Sequence, residues 1–274
     1  EALRQALIKT AINRKDLIHL DNNKYAFCIH AFYPDILPEI LTKIESLNNK
    51  FLNKSKLFIT TTSEKIDLCQ EVIEKYSKIK LFQIIACENR GRDIKPFLKV
   101  LNQLYSEGFG NICKIHTKKS LHRADGKKWR NEVIDDLFSN ETVDFVFQKF
   151  SKDKNSNIGL ISPKDHLLPM STYWGSNKKT VELMATRLGI PLKDIDKIPF
   201  AAGSMFWAKT YALLPLLGIV DMESFEFEKG QVDGTFAHAI ERLFSIACHS
   251  CDFKLVDSLG NSLDSTNNQL FKYV

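Results

Sequence analysis

The stretch YAFCIHAFYPDILPEILTKIESL, residues 25–47, joins a short apolar run to a pattern of helical period. Its first five residues, YAFCI, are apolar throughout and have the length of a buried strand. After a polar turn, apolar side chains recur every three or four residues from Ile36 to Leu47, which predicts an amphipathic helix. A strand that leads directly into a helix is the first half of a βαβ unit, so the stretch predicts a parallel sheet.

The same unit recurs along the first half of the chain. Apolar runs follow at 57–61 (LFITT), 81–86 (LFQIIA) and 112–115 (ICKI), and IGLIS at 158–162 is a fifth. The first four begin about 25 to 32 residues apart, the length of a strand with its crossover helix, and one such helix is predicted at Ile66–Tyr76. We therefore expect an α/β fold with a Rossmann-like, mainly parallel sheet flanked by helices.

The second half of the chain is less regular. Helices are predicted at 178–188 and 235–247, and strands at 203–209 (GSMFWAK) and 253–256 (FKLV). No repeat or low-complexity linker interrupts it, so we expect one domain. The predicted boundaries are a domain over 1–257, with a donor half at about 20–165 and an acceptor half at about 166–257, and a polar tail at 258–274.

Composition narrows the class of protein. The formal charge of +5 and pI near 8.7 are only mildly basic, and nucleic-acid-binding domains usually show a stronger bias, so we predict no nucleic-acid partner. No apolar run reaches the roughly 18 residues of a membrane span. The chain begins at Glu1 instead of a methionine, and we expect it to be part of a longer protein.

The six cysteines are scattered, mostly within apolar runs, which is typical of reduced thiols in the cytoplasm. Cys248 and Cys251 form the one CxxC. A structural zinc site needs two further ligands at matching spacing, and none follows. A redox motif should open a helix, whereas this pair closes a predicted one. We predict neither a metal site nor a cofactor.

Polar segments follow several predicted strands at the point where each strand ends. They are 30–35 (HAFYPD), 88–96 (ENRGRDIKP), 116–120 (HTKKS) and the region of Asp233 before a later helix. Open parallel sheets bind ligands at the carboxyl ends of their strands. We therefore expect these segments to share one cleft.

The segment ENRGRD has a composition suited to anions. Gly91 permits a tight turn, and the arginines on either side of it offer forked donors that match phosphate or carboxylate. Asp93 can orient an arginine or accept a bond from a ribose hydroxyl. The alternative is that a helix begins at Asp93 and the arginines point into solvent, and both interpretations stay open.

The stretch KIHTKKSLHRADGKKWR, residues 114–130, carries seven lysines and arginines and a single acid, Asp125. Ammonium groups and backbone amides in a loop after a strand can hold a diphosphate, so we expect Lys118 and Lys119 to bind one. Lys127 and Lys128 are expected to be exposed charges of a helix face.

Several longer motifs resemble those of the rhamnan synthesis protein F family, glycosyltransferases of bacterial cell-wall and surface polysaccharide assembly. These motifs are KIHTKKS (114–120), GKKWR (126–130), ENRGRDIKPFL (88–98), HAFYPD (30–35), YWGSN (173–177) and FAAGSMFWAK (200–209). They extend over roughly residues 24–257, nearly the whole chain.

The resemblance implies a GT-A-like fold and an enzyme that transfers rhamnose or a related sugar from a nucleotide-activated donor, with dTDP-L-rhamnose indicated by the family's name. It further implies a lipid-linked glycan as acceptor, other modules of a longer polysaccharide synthase as partners, and a cytoplasmic location at the inner face of the plasma membrane.

GT-A enzymes commonly hold a divalent metal through a DxD after a central strand. Here that position carries His116-Thr-Lys118, and the chain's DxD, Asp194-Ile-Asp196, is expected in a loop after a helix. We therefore predict metal-independent transfer, in which cationic side chains stabilise the departing diphosphate.

The predicted catalytic residues are His116 and Asp233, the latter as the base that activates the acceptor hydroxyl. The alternative role of Asp233 is a helix N-cap. The predicted substrate-binding residues are His30, Asp35, Glu88, Asn89, Arg90, Arg92, Asp93, Lys114, Lys118, Lys119, Arg130, Trp174 and Ser204.

Two other functions stay open at this point. The domain could be a catalytically inert module that docks a glycan or lipid carrier, or its basic pocket could take another activated donor, such as a phosphoribosyl diphosphate. The sequence leaves the donor sugar, the linkage and the stereochemical outcome undetermined.

Overall fold

The structure, a computed structural model, describes residues 19–119 and 125–263. The strands found there are β1 (Asp21–His30), β2 (Ser55–Thr61), β3 (Phe82–Ala86), β4 (Phe109–His116), β5 (Ile158–Ser162), β6 (Leu167–Pro169), β7 (Pro199–Ala201), β8 (Phe206–Lys209) and β9 (Lys254–Asp257).

The α-helices of the described residues alternate with these strands in the first half of the chain. They are α1 (Leu37–Glu45), α2 (Asn49–Leu52), α3 (Ile66–Tyr76), α4 (Ile94–Ser106), α5 (Gly126–Leu137), α6 (Asn140–Phe147), α7 (Lys178–Arg187), α8 (Leu192–Ile195), α9 (Thr210–Leu213), α10 (Pro215–Ile219) and α11 (Phe236–Ser250).

Seven strands form a central sheet in the order β3-β2-β1-β4-β8-β5-β9, and β6 and β7 form a separate antiparallel pair. Strands β3, β2, β1 and β4 are parallel, as are β5 and β9. Strand β8 runs antiparallel between β4 and β5. The predicted α/β fold with a mainly parallel sheet is confirmed.

Helices cover both faces of this sheet because successive strand side chains point to opposite sides. In β1, Phe27 packs with the buried residues of α1, α3 and α5. Its neighbour Cys28 packs with those of α4 and α11 on the other face. Strands buried on both faces read as continuous apolar runs, which is why the sequence revealed them.

Strand β8 begins three residues later than predicted, at Phe206. Gly203 and Ser204 adopt left-handed conformations with φ of 83° and 52°, which turn the chain before the strand starts. The N-cap of α11 is Thr235, which forms a capping box with His238, so Asp233 does not take the alternative N-cap role. The predicted DxD also lies partly in a short helix, α8, instead of a loop.

The predicted polar tail begins with a buried residue. Ser258 is 5% exposed and its hydroxyl donates to Asp136 at 3.0 Å, while residues 264–274 lie outside the described part of the chain. No helix within residues 19–119 and 125–263 has the length and apolar character that crossing a membrane requires.

Candidate functional site

A cleft of about 440 Å³ opens at the carboxyl ends of β1 and β4, and we refer to it as the strand-end cleft. Its lining residues are His30, Phe32, Tyr33, Asn89, Arg92, Asp93, His116, Lys118, Lys119, Glu228, Gly230, Gln231 and Val232.

Three segments that are distant in the sequence meet in the strand-end cleft, as the parallel strands predict. His30 and His116 are register partners at the ends of β1 and β4. Arg92 arrives from the loop after β3 and lines the same space. The fourth wall is the segment 228–232, of which the sequence analysis named no residue.

The floor of the cleft rests on a buried ion pair. The Lys114 ammonium donates to the Asp93 carboxylate, and also to the carbonyl oxygen (2.8 Å) and hydroxyl (3.2 Å) of Ser204. The Ser204 hydroxyl donates to Asp93 at 2.6 Å. Lys114 is only 1% exposed.

This geometry does not favour two of the predicted substrate contacts. Lys114 and Ser204 do not line the strand-end cleft, and their polar groups are used within the protein to hold Asp93. Burial alone would raise the pKa of Asp93, but the adjacent Lys114 ammonium holds that pKa well below its usual range. Asp93 is thus a fixed negative charge at the edge of the cleft.

His116 is an uncharged imidazole at neutral pH. Burial lowers its pKa to about 4. Its Nε2 lies 2.9 Å from the carbonyl oxygen of Gly203, which can only accept, so Nε2 carries the proton. Its Nδ1 accepts from the Lys118 backbone N–H at 3.3 Å. His116 therefore shapes the loop that carries Lys118, and it does not supply the positive charge that the sequence analysis assigned to it.

His30 has a similar environment. Burial lowers its pKa to about 4 as well, despite the attraction of Asp93. Its Nδ1 lies 3.0 Å from the Thr60 hydroxyl oxygen on the neighbouring strand β2. The two histidines thus present neutral rings to the cleft.

The positive charge of the cleft comes from Arg92, Lys118 and Lys119. Burial lowers the pKa of Lys118, and the repulsion of Arg92 adds to this effect. The Lys119 ammonium lies 2.6 Å from the carboxylate of Asp35, which is 62% exposed and is not a lining residue. Asp35 therefore pairs with a cation of the cleft and does not line the cleft itself.

Arg92 is held in an unusual backbone conformation, with φ of 54° in the left-handed region. Its backbone N–H donates to Glu228 at 3.1 Å, and its Nη2 donates to the carbonyl oxygen of Gln231. Its Nε is buried and has no hydrogen-bond partner, and the Glu228 Oε2 atom lies 3.6 Å from it. Strained residues of this kind concentrate at functional sites, and the Nε–H, which makes no hydrogen bond within the described part of the protein, can donate to an anionic ligand.

An aromatic wall faces these cations. The rings of Phe32 and Tyr33 meet edge to face with centroids 5.0 Å apart. The Lys119 ammonium lies 4.9 Å from the Tyr33 ring centroid. Both rings belong to the motif HAFYPD, yet their side chains were not among the predicted site residues.

Glu88 and Arg90 belong to a neighbouring cleft of about 620 Å³ at the ends of β2 and β3. Arg90 donates to the Glu223 carboxylate at 3.0 Å and to the carbonyl oxygens of Phe225 and Glu223. Its guanidinium ties the 88–92 loop to the 223–228 segment, so this geometry gives it a structural role beside its predicted substrate contact. Asn89 lines both clefts.

Arg130 and Trp174 are buried and do not line the strand-end cleft, so this geometry does not favour their predicted substrate contacts. The Arg130 guanidinium lies 3.8 Å from the Glu39 carboxylate. Trp174 donates from Nε1 to Asp196 at 2.8 Å, which gives one carboxylate of the DxD a structural role. Its other carboxylate, Asp194, lies 2.7 Å from Lys197.

Asp233 is also not among the lining residues. Its carboxylate accepts from the Ser176 backbone N–H at 2.8 Å and from Asn177 Nδ2 at 2.7 Å. Burial alone would raise its pKa, but these donors lower it to about 2. A carboxylate stabilised in this way is a weak proton acceptor, so this geometry does not favour the predicted role of Asp233 as a base.

Two glutamates have raised pKa values, in contrast to the lowered pKa of Asp233. Burial raises the pKa of Glu228, which lines the cleft, and that of Glu241, which accepts from the Gly203 backbone N–H at 2.6 Å behind it. The sequence analysis did not identify Glu228, because the segment EFEKGQVDG has no periodicity and no strand precedes it directly.

The described residues contain no group of three or more histidine, cysteine, aspartate or glutamate side chains that could hold a metal ion. Cys248 and Cys251 are free thiols at the end of α11.

We compared the chain with known protein families, curated proteins and solved structures. The family model "RgpF: Rhamnan synthesis protein F" matches residues 2–252. Two proteins called "Uncharacterized protein WxcX", from Xanthomonas campestris pv. campestris strains B100 and ATCC 33913, are each 40% identical over 220 residues. That match covers 80% of this chain and 30% of each relative, so the chain spans less than a third of their length.

Among solved structures, a cytidylyltransferase from Leptospira borgpetersenii serovar Hardjo-bovis is similar with a TM-score of 0.41 and 13% identity. The match covers 92% of this chain and 81% of that one.

Proposed function

Because the chain belongs to the rhamnan synthesis protein F family, we propose that its strand-end cleft transfers a sugar from a nucleoside-diphosphate donor to a growing bacterial surface polysaccharide. The family's name indicates a role in polysaccharide synthesis, and rhamnose, carried by dTDP, is the sugar it favours. The acceptor is a lipid-linked glycan in this proposal, and the protein works at the inner face of the plasma membrane with other parts of a longer synthase.

The observation that carries the proposal is the set of three cations in the strand-end cleft. Arg92, Lys118 and Lys119 line it together, and the buried Nε of Arg92 has no hydrogen-bond partner. Cations that line a cleft can bind a diphosphate through charge-assisted hydrogen bonds, which are stronger than neutral ones. Of the two carboxylates among the described residues that line the cleft, Asp93 is paired with Lys114 and Glu228 lies 3.6 Å from the Arg92 Nε.

The same cations support the chemistry of transfer. When the bond between the sugar and the diphosphate breaks, negative charge grows on the leaving oxygen. Positive groups that are fixed before the reaction stabilise this charge without rearrangement. The rings of Phe32 and Tyr33 on the facing wall supply apolar surface for a nucleobase or a sugar face.

The proposal includes transfer without a metal ion, and one assay tests both parts. The protein is incubated with dTDP-L-rhamnose in the presence of EDTA, and the release of dTDP is measured with a rhamnose-containing glycolipid as acceptor. We expect release to depend on the acceptor and to be unchanged by EDTA. Activity that EDTA abolishes and Mn²⁺ or Mg²⁺ restores would contradict metal independence. Binding of the glycolipid without binding of dTDP would favour a docking module over an enzyme.

A further inference from the structure

Glu228 occupies a position in the strand-end cleft that the proposed donor site leaves unexplained. Its carboxylate accepts from the backbone N–H of Arg92 at 3.1 Å and lies 3.6 Å from the Arg92 Nε. Its own backbone N–H donates to the carbonyl oxygen of Asn89 at 3.3 Å. Glu228 is thereby fixed against the loop that carries the main cation of the cleft.

The segment around Glu228 is held rigidly on both sides. A backbone bridge joins Arg90 to Phe227, and the Arg90 guanidinium donates to the preceding residues, Glu223 and Phe225. On the other side, Gln231 accepts from Arg92 through its carbonyl oxygen. The carboxylate is therefore positioned by the fold and not by a mobile loop end, as a group that acts on a substrate must be.

Three other candidate proton acceptors of the site are already engaged, and a fourth, the His30 ring, is a weak one because burial lowers its pKa to about 4. Asp93 and Glu228 are the carboxylates among the described residues that line the cleft, and Asp93 is paired with the Lys114 ammonium. Both nitrogens of His116 have partners. The Asp233 carboxylate accepts bonds from Ser176 and Asn177 outside the lining.

The groups around Glu228 shift its pKa in opposite directions. Burial is the largest effect and raises its pKa, and the Asp93 carboxylate adds to this effect. Arg92 and Lys118 lower that pKa. A carboxylate with a raised pKa is a better proton acceptor than one with an ordinary pKa.

We propose that Glu228 is the general base of the transfer, an assignment that rests on the proposed function. The acceptor hydroxyl oxygen forms a bond to the anomeric carbon while the bond from that carbon to the diphosphate oxygen breaks. The electron pair of the broken bond leaves with the nucleoside diphosphate, beside Arg92. The hydroxyl proton passes to a carboxylate oxygen of Glu228.

The pairing of Glu228 with Arg92 predicts how a substitution of Glu228 changes the affinity for dTDP. A carboxylate next to Arg92 competes with a diphosphate for the guanidinium and repels it. Replacing Glu228 by Gln removes this negative charge and keeps a group of similar shape. We therefore expect E228Q to bind dTDP at least as tightly as the original protein, while its turnover falls.

The experiment compares three variants by dTDP titration and by hydrolysis of dTDP-L-rhamnose, with water as the acceptor. We expect E228Q to hydrolyse the donor about 100-fold more slowly or worse, which is the usual contribution of a general base. E228D should keep part of the activity. Glu226→Gln is the matched control, because Glu226 lies in the same segment but caps α11 at the Phe236 N–H, and it should leave both measurements unchanged.

The pH profile adds a second readout. Hydrolysis by the original protein and by E228D should decrease as the pH falls, with an inflection above the ordinary glutamate pKa of about 4.3. The residual rate of E228Q should lack this inflection.

The outcomes separate this inference from the proposed function. Loss of both dTDP binding and hydrolysis in E228Q would make Glu228 a structural partner of Arg92 and overturn the assignment. Undiminished hydrolysis by E228Q would also overturn it and would leave the donor site intact. If the original protein itself fails to bind dTDP, the proposed function fails first, and the base assignment falls with it.

Discussion

The Lys114 ammonium and the Asp93 carboxylate form a largely buried ion pair at the floor of the strand-end cleft. Their side chains are 1% and 12% exposed. The rings of Phe97, Phe206 and Phe244 surround the ammonium, with centroids 5.5 to 6.0 Å away. The pair links strand β4 to the start of α4, so it positions the loop that carries Arg92.

Lys114→Met should therefore destabilise the fold severely. It leaves the Asp93 charge buried without its partner, which costs about 3–5 kcal/mol in the free energy of unfolding. Urea unfolding measures this loss. Lys43→Met is the control, because Lys43 pairs with Asp135 at 2.7 Å on the surface, where both side chains are about half exposed. The control should cost about 1 kcal/mol or less, and equal losses in the two variants would contradict a structural role for the buried pair.

The two pairs of lysines in the basic stretch should differ in donor binding. Lys118 and Lys119 line the strand-end cleft, whereas Lys127 and Lys128 are exposed on α5. A charge-assisted contact to a diphosphate in the cleft contributes about 1.5–3 kcal/mol, so losing Lys118 should weaken dTDP binding roughly tenfold or more. Lys127→Ala and Lys128→Ala should have little effect at physiological salt. Equal, small losses at all these positions in a calorimetric titration would mean that the stretch is only a charged surface.

Stability should fall on mild acidification because of the buried neutral histidines. The pKa of His116 is about 4 in the folded protein, against about 6.5 in an unfolded chain. Between these values the unfolded state binds the proton more readily, so stability decreases as the pH falls from 6.5 towards 4. His116 alone should account for a loss of about 2 kcal/mol between pH 7.5 and 5.

Urea unfolding at the two pH values checks this expectation. On acidification, His116→Gln should lose about 2 kcal/mol less stability than the original protein does. His249→Gln changes an exposed position of α11 and should lose as much stability as the original protein. A pH dependence that His116→Gln leaves unchanged would show that the ring is solvated.

The features that the sequence predicted correctly depend on residues that are close together in the chain. Apolar runs and helical periods are local, so strand β5 and helix α3 were predicted with their observed bounds. The rule that strand ends converge brought His30, Arg92 and His116 to one cleft, as the structure has them. The antiparallel direction of β8 depends on pairing with distant strands, and no local pattern encodes it.

The features of the site that were not predicted from the sequence depend on tertiary contacts. Lys114 resembles a site residue in sequence because it stands in a strand before a basic loop, and only its partner Asp93, from another segment, makes it structural. Arg90 and Arg92 are equivalent in the motif ENRGRD, but the turn at Gly91, with φ of 69°, sends them to different clefts. Glu228 enters the site through the bridge between Phe227 and Arg90, which no sequence pattern marks.

The central claim is that the strand-end cleft binds the diphosphate of a nucleotide donor, and Arg92 tests it most directly. Isothermal titration of dTDP compares the original protein with Arg92→Ala and with Arg187→Ala, whose arginine is exposed on α7 away from the cleft. We predict that Arg92→Ala weakens binding at least about tenfold, because a charge-assisted contact contributes about 1.5–3 kcal/mol, and that Arg187→Ala binds as the original protein does. Equal affinities in all three proteins, or no binding of dTDP to any of them, would contradict the claim.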